Sequence, residues 1–181
     1  MTNNVSMEPA RSPVVSALFR FREGAERAYQ SVLDLGYMKD DVTVLMTDET
    51  RAKYFPANKA LETEFGTKAA EGAGIGGGIG ISIGALTAAL IAIGTTITLP
   101  GIGLVVAGPL AAAFAGAGAG GIAGGLIGAL IGSRIPEERA RLYEKGIKEG
   151  GIWLSVVTRS RADAEEIEAR WQNLGAEHIH H

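Results

Sequence analysis

The three histidines of this chain, His178, His180 and His181, all fall in its last four residues, and there is no cysteine. Thiolate chemistry and a disulfide framework are therefore excluded. On a strand, His178 and His180 would share one face and could chelate a metal weakly. No carboxylate or cysteine cluster accompanies them, so a polar edge strand accounts for them more simply. With histidine confined to the tail, no nucleophile–base pair can be assembled. The carboxylates Asp40, Asp41, Glu137, Glu138, Glu165 and Glu166 sit at helix starts or on solvated helix faces, where capping and solubility explain them. Gly72-x-Gly74-x-x-Gly77 and Gly116-x-Gly118-x-x-Gly121 match the dinucleotide fingerprint as strings. The mechanism also needs a strand just before and an acid about 20 residues later, and no acid follows before Glu137. Trp153 and Trp171 are candidate membrane-interface anchors, although Trp171 falls on the apolar face of its helix and reads as core. The residue types thus predict no enzyme, no cofactor and no metal.

What the chain has instead is a segment, residues 72–133, without one charged side chain, holding 19 of its 26 glycines. Gly72, Gly76, Gly80 and Gly84 recur every fourth residue, continued by Ala88 and Ala92. A second row runs Ala112, Gly116, Gly120, Gly124, Gly128, Gly132. Residues four apart lie on one helix face, so each row is a groove of small side chains that lets another backbone approach closely. Glycine costs about 1 kcal/mol per residue in a helix interior, so a partner helix or a membrane must compensate. Ile75, Ile79, Ile81 and Ile83 alternate with glycines at a strand-like period of two, but the period of four holds over six positions in both halves. Pro109 after Gly108 suits a helix start. The pattern predicts two antiparallel helices, about 70–97 and 109–132, joined by a short apolar turn. Both exceed the ~20 residues needed to cross a bilayer.

The elements around this segment can be read in order. Residues 1–13 are a polar lead-in. Val14 to Phe21 reads as a strand. Residues 23–35 read as a helix with Ala25, Ala28, Val32 and Leu35 on one face, stopped by Gly36. Val42 to Thr47 reads as a second strand and 48–55 as a polar connection, after which a helix begins near Pro56. Beyond the apolar segment, Pro136-Glu137-Glu138 opens a helix with i,i+4 pairs Glu137–Arg141 and Glu144–Lys148. Ile152 to Thr158 is a strand. Ser160 and Asp163 resemble a capping box for a helix over 161–174, and 177–180 could form a final strand. The net charge of −3 divides as −2 before residue 72 and −1 after 133. That balance gives no footprint for nucleic acid. The first residues lack a basic region followed by an apolar run, so no secretory signal is expected.

The two flanks repeat each other. Residues 16–36 align without a gap on 155–175, matching Ser16 to Ser155, Arg20 to Arg159, Arg22 to Arg161, Glu26 to Glu165 and Gly36 to Gly175. Two strand–helix–strand units predict an α+β fold: a ferredoxin-like split βαβ sheet with helices on one face. Residues 14–55 and 134–181 would be its halves, and 56–133 an inserted glycine-zipper α-helical hairpin. The run Gly36-Tyr37-Met38-Lys39-Asp40-Asp41-Val42 and the stretch from Ile135-Pro136-Glu137-Glu138 through Tyr143 to Gly151 flank this glycine-rich core. Over about residues 14–158 the pattern resembles bacterial YflT-like general stress proteins and related glycine-zipper membrane proteins. The resemblance implies a bacterial, stress-associated, membrane-linked protein, and brings no catalytic residue with it.

Together these readings predict a non-enzymatic structural protein with a cytoplasmic body. It would self-associate as a homo-oligomer through the hairpin, in or on membrane lipid. The alternative is a soluble ring or cage whose hairpins enclose an apolar chamber, able to hold lipid or quinone.

Overall fold

A computed structural model describes residues 13–55, 97–99, 103–112, 114 and 125–181. Its centre is an antiparallel sheet. The strands are β1 (Val14–Phe19), β2 (Val42–Thr47), β3 (Ile97–Leu99), β4 (Leu104–Ala107), β5 (Ile152–Val157) and β6 (Ala176–His180). They lie in the order β3-β4-β2-β5-β1-β6. The helices are α1 (Arg22–Asp34), α2 (Asp48–Tyr54), α3 (Gly125–Gly132), α4 (Glu137–Lys148) and α5 (Arg161–Asn173). The fold is α+β.

The repeat is realised in three dimensions. Shifted by its offset, α1 coincides residue for residue with α5. Ser16 and Ser155, equivalent in the repeat, are also direct partners across the β1–β5 ladder, so a local twofold axis passes between them. Each unit gives its second strand to the other unit's first: β2 pairs with β5, and β6 with β1. Gly36 and Gly175 end the two helices with φ of 80° and 81°, a left-handed conformation that glycine adopts without a Cβ penalty.

The expectation of helices on one face is overturned. Both faces of the sheet are covered, because alternate residues of its strands are apolar on both sides. Val15, Ala17 and Phe19 of β1 pack with Ala25, Ala28, Tyr29 and Val32 of α1 and with Ala164, Ile167 and Trp171 of α5. On the other face, Leu18, Leu45 and Trp153 pack with Ala140, Tyr143 and Ile147 of α4. Leu126, Ala129 and Leu130 of α3 join them, with Leu104, Val106, Ala111 and Phe114. Burying a side chain of this size contributes about 1.5–3 kcal/mol, so the second layer is a major part of the fold.

Three further expectations are corrected. Residues 98–108 are not an irregular turn between two long helices. Ile97–Leu99 and Leu104–Ala107 pair with each other, and β4 pairs with β2, so this stretch extends the sheet. The apolar run Leu104-Val105-Val106-Ala107, with two β-branched valines at its centre, favours a pleated, buried strand over a loop. Gly108 follows with φ 107°, and a Cβ there would lie 2.2 Å from the Val42 carbonyl oxygen. Only glycine lets the chain turn so close to β2. Residues 48–54 are helical rather than a plain connection, because the Thr47 hydroxyl caps the Thr50 N–H at 3.1 Å and Asp48 and Glu49 complement the helix dipole. Finally, Trp153 is fully buried and anchors no membrane interface. The lead-in, the helix from Pro56 and the row Gly72–Ala92 lie outside the described residues.

Candidate functional site

Of the small-residue rows, the described residues include Ala112, Gly128 and Gly132. All three are exposed. On α3, Leu126, Ala129 and Leu130 point into the second core, which leaves Gly128 and Gly132 on the opposite, outward side. Among the described residues, no atom beyond the helix's own neighbouring backbone lies within 4 Å of where a Cβ would sit on either. Ile131 beside them is 43% exposed. The result is an apolar strip on a helix whose other face packs against α4 and into the second core. Gly116, Gly120 and Gly124 lie outside the described residues.

Residues 133–135, just past the helix, hold it in this position. The Ser133 hydroxyl donates to the Ala129 carbonyl at 2.9 Å, and the Ile135 N–H reaches back to Leu130. Arg134, with φ 68°, turns the chain into α4. That helix approaches β1 through Gly146, where a Cβ would stand 2.0 Å from a methyl of Leu18. One turn earlier, the buried Tyr143 hydroxyl donates toward the Ser16 and His178 carbonyls and lies 3.2 Å from the Ser16 hydroxyl. Burial pushes its pKa up, partly opposed by the Ser16 bond. The sequence alone assigns Gly146 and Tyr143 no packing role. Gly146 carries no periodic signal, and a tyrosine's partners are set by strands far away in the chain.

The strip has no acid–base chemistry. Elsewhere, the predicted ion pairs Glu137–Arg141 and Glu144–Lys148 form at 2.6 and 2.9 Å on solvent-facing surfaces. Ser160 caps α5 by accepting from the Asp163 N–H at 3.1 Å. The Asp163 carboxylate is taken from the other side by the Tyr37 hydroxyl, whose hydrogen bond, together with that from Ser160, holds its pKa down. His178 and His180 do not share one face as a regular strand would have them. The β1–β6 register shifts between Ser16 and Leu18 and His178 has φ 56°, a bulge that breaks the alternation putting 178 and 180 on one face. His181 instead meets Glu168 at 2.8 Å, and burial lowers the His180 pKa. Among the described residues no group of three or more His, Asp or Glu side chains could hold a metal, and no helix is long and apolar enough to cross a membrane. Compared with models of known families, with curated proteins and with solved structures, the chain matches none.

Proposed function

We propose that this chain is a non-enzymatic structural protein that self-associates through its glycine-rich segment. The body is read as ferredoxin-like: the order β6-β1-β5-β2, with each strand–helix–strand unit feeding the other, supports that reading. The segment 56–133 is read as an insertion that doubles back onto the same sheet. The observation that carries the functional reading is the outward strip of Gly128, Gly132 and Ile131, apolar and open on a helix fixed from behind. Small residues at spacing four suit close helix–helix contact, and an exposed apolar strip is stabilised when a second copy covers it.

A membrane setting is supported by the charge-free sequence 72–133. It does not take the form of a helical hairpin whose turn lies on the far side of a bilayer. Thr98 pairs with Val105 in the same sheet as β1 and β5, so the turn and both flanks lie together. Contact along a membrane surface fits this arrangement. A soluble homo-oligomer with its apolar segments enclosed is the second reading, favoured by the same docking of β3 and β4. A stress-associated role rests on the resemblance to the YflT-like proteins.

Gly128→Leu tests the proposal. The side chain has open space among the described residues, so the far-ultraviolet circular dichroism and thermal midpoint should match the parent. In the assembly it would overpack a close contact, at about 1–3 kcal/mol in every subunit. Size-exclusion chromatography with light scattering should then show smaller particles. A variant that assembles like the parent would remove the strip as the association surface. Sedimentation of the parent with phospholipid vesicles distinguishes the two settings.

A further inference from the structure

The internal repeat carries an inference about a second surface. Tyr37 follows Gly36, which ends the first unit's helix, and plugs a site between the two halves. Its ring is 4% exposed. The Arg159 guanidinium lies 4.2 Å over the ring, its hydroxyl donates to Asp163 and it accepts from the Arg159 N–H at 2.9 Å. The repeat offset carries Gly36, Tyr37, Arg159, Ser160 and Asp163 onto Gly175, Ala176, Arg20, Phe21 and Gly24. The counterpart site therefore has the arginine but neither the ring nor the carboxylate. There the structure has an open cleft of about 340 Å³, lined by Arg20, Phe21, Gly24, Arg27, Leu174 and Gly175. Arg20 uses its in-plane N–H groups on Glu149 and Glu177 at 2.6 and 2.9 Å, which leaves the face of the guanidinium for a ring. Glu23 and Glu177 also line the cleft, but Glu177 is held by Arg20 and Glu23 is exposed. With Gly24 in place of Asp163, no carboxylate stands where one accepts the phenol proton at the Tyr37 site, and the cleft suits a ring without a hydroxyl.

The same rim presents such a ring. Phe21 is 74% exposed. It occupies the N-cap of α1 and makes no capping bond, whereas its counterpart Ser160 caps α5. A serine or aspartate there would stabilise the helix, and phenylalanine instead places an aromatic ring in solvent. One turn inward, Glu23 and Arg27 are exposed, and neither forms an ion pair among the described residues. We infer that this face docks a second copy of the chain about a twofold axis, with Phe21 of each copy filling the other's Arg20–Gly175 cleft and Glu23 of each facing Arg27 of the other. A ring beside a ring-shaped cleft, with one acid beside one base, is self-complementary as a twofold contact requires.

The test uses the full chain carrying Phe21→p-benzoylphenylalanine, mixed as nitrogen-15-labelled and unlabelled copies and irradiated. Cross-links between isotopically different copies are expected from residue 21 to residues 173–177. Because they join these positions and not the glycine rows, they are read independently of whether those rows associate. Ala176→Tyr in the same chain rebuilds the Tyr37 plug and should lower the cross-linked fraction about tenfold or more, with the thermal midpoint kept. Glu23→Arg and Arg27→Glu should each weaken cross-linking alone and restore it when the two variants are mixed. Cross-links confined within one copy would mean that Phe21 folds into its own cleft, and would overturn the inference. So would toluene binding in the cleft, followed by ligand-observed NMR, without any inter-copy cross-link. Loss of both cross-links and thermal midpoint in Ala176→Tyr leaves the charge-reversal pair to decide.

Discussion

Individual side chains show most directly where composition misleads. The spacing on α1 selects Ala25, Ala28, Val32 and Leu35; the first three are buried and Leu35 is half-buried, but the same face also buries Tyr29 and Glu26. A glutamate in a helix reads as solvated, and only the packing of α1 against the sheet reverses that. Glu26 is 2% exposed, bonded to Arg22 at 2.8 Å, with the Arg22 guanidinium 5.1 Å over the Phe55 ring. Burial raises its pKa, opposed by Arg22 and reinforced weakly by Glu23. The sign comes from linkage. The folded state prefers the protonated form, so stability is highest below the unfolded pKa and falls as pH rises through the raised folded value. Glu26→Gln should therefore gain on the parent as pH rises from about 4, where glutamate ordinarily titrates, toward neutrality. Urea midpoints across that range measure it. Parallel pH profiles for the two proteins would show that Glu26 is not titrating in the fold.

Elements were legible in the flanks because each carries its own stop signals. The glycines at 36, 150 and 175 all have positive φ, and the strand at 42–47 and the helix at 161–173 fall where the sequence puts them. The apolar segment was less legible. With no charges to mark a solvent face, Leu104 to Ala107 fits a buried strand or a buried helix equally by periodicity. Its pairing with β2 is a long-range fact. Glycine likewise means different things on neighbouring helices. On α4, Gly146 allows contact with Leu18, whereas on α3, Gly128 faces open space. The same substitution should therefore have opposite signs. Gly146→Ala should lose about 1–3 kcal/mol by overpacking, since Leu18 is itself fully buried. Gly128→Ala should gain up to about 1 kcal/mol from helix propensity. Denaturant titration of each under conditions that keep the chain monomeric gives both values, and equal shifts would contradict the assigned packing.

At the scale of the whole molecule, the twofold repeat explains one core and the apolar segment explains the other. The α1/α5 core is built from the flanks, apart from Val105 and Ala107 of β4. The second core is shared. Leu18, Leu45, Ile135, Ala140, Tyr143, Ile147 and Trp153 come from the flanks, and Leu104, Val106, Ala111, Phe114, Leu126, Ala129 and Leu130 from the segment. A repeat detected in the flanks alone leads to a self-sufficient domain with a detachable hairpin, whereas the sheet shows half of one core being supplied by the insertion. This difference can be measured, because the two tryptophans report on opposite faces. Trp171 packs edge-on against Phe19 with ring centroids 5.6 Å apart, and its indole N–H donates to the Ala28 carbonyl at 3.2 Å. Trp153 stands against Tyr143 on the other side, at 5.8 Å. Consider a chain in which residues 1–55 are joined by a short flexible linker to 134–181. Its β1–β5 and β1–β6 ladders and α1/α5 core remain possible, so circular dichroism should still report helix and sheet. Trp153 should become accessible to acrylamide, with red-shifted emission, while Trp171 stays protected, as single Trp→Phe replacements would separate. Equal protection of both would mean that α4 alone seals the second face. Equal exposure of both would mean that the flanks do not hold a sheet without the segment, and that the insertion is part of the folding unit.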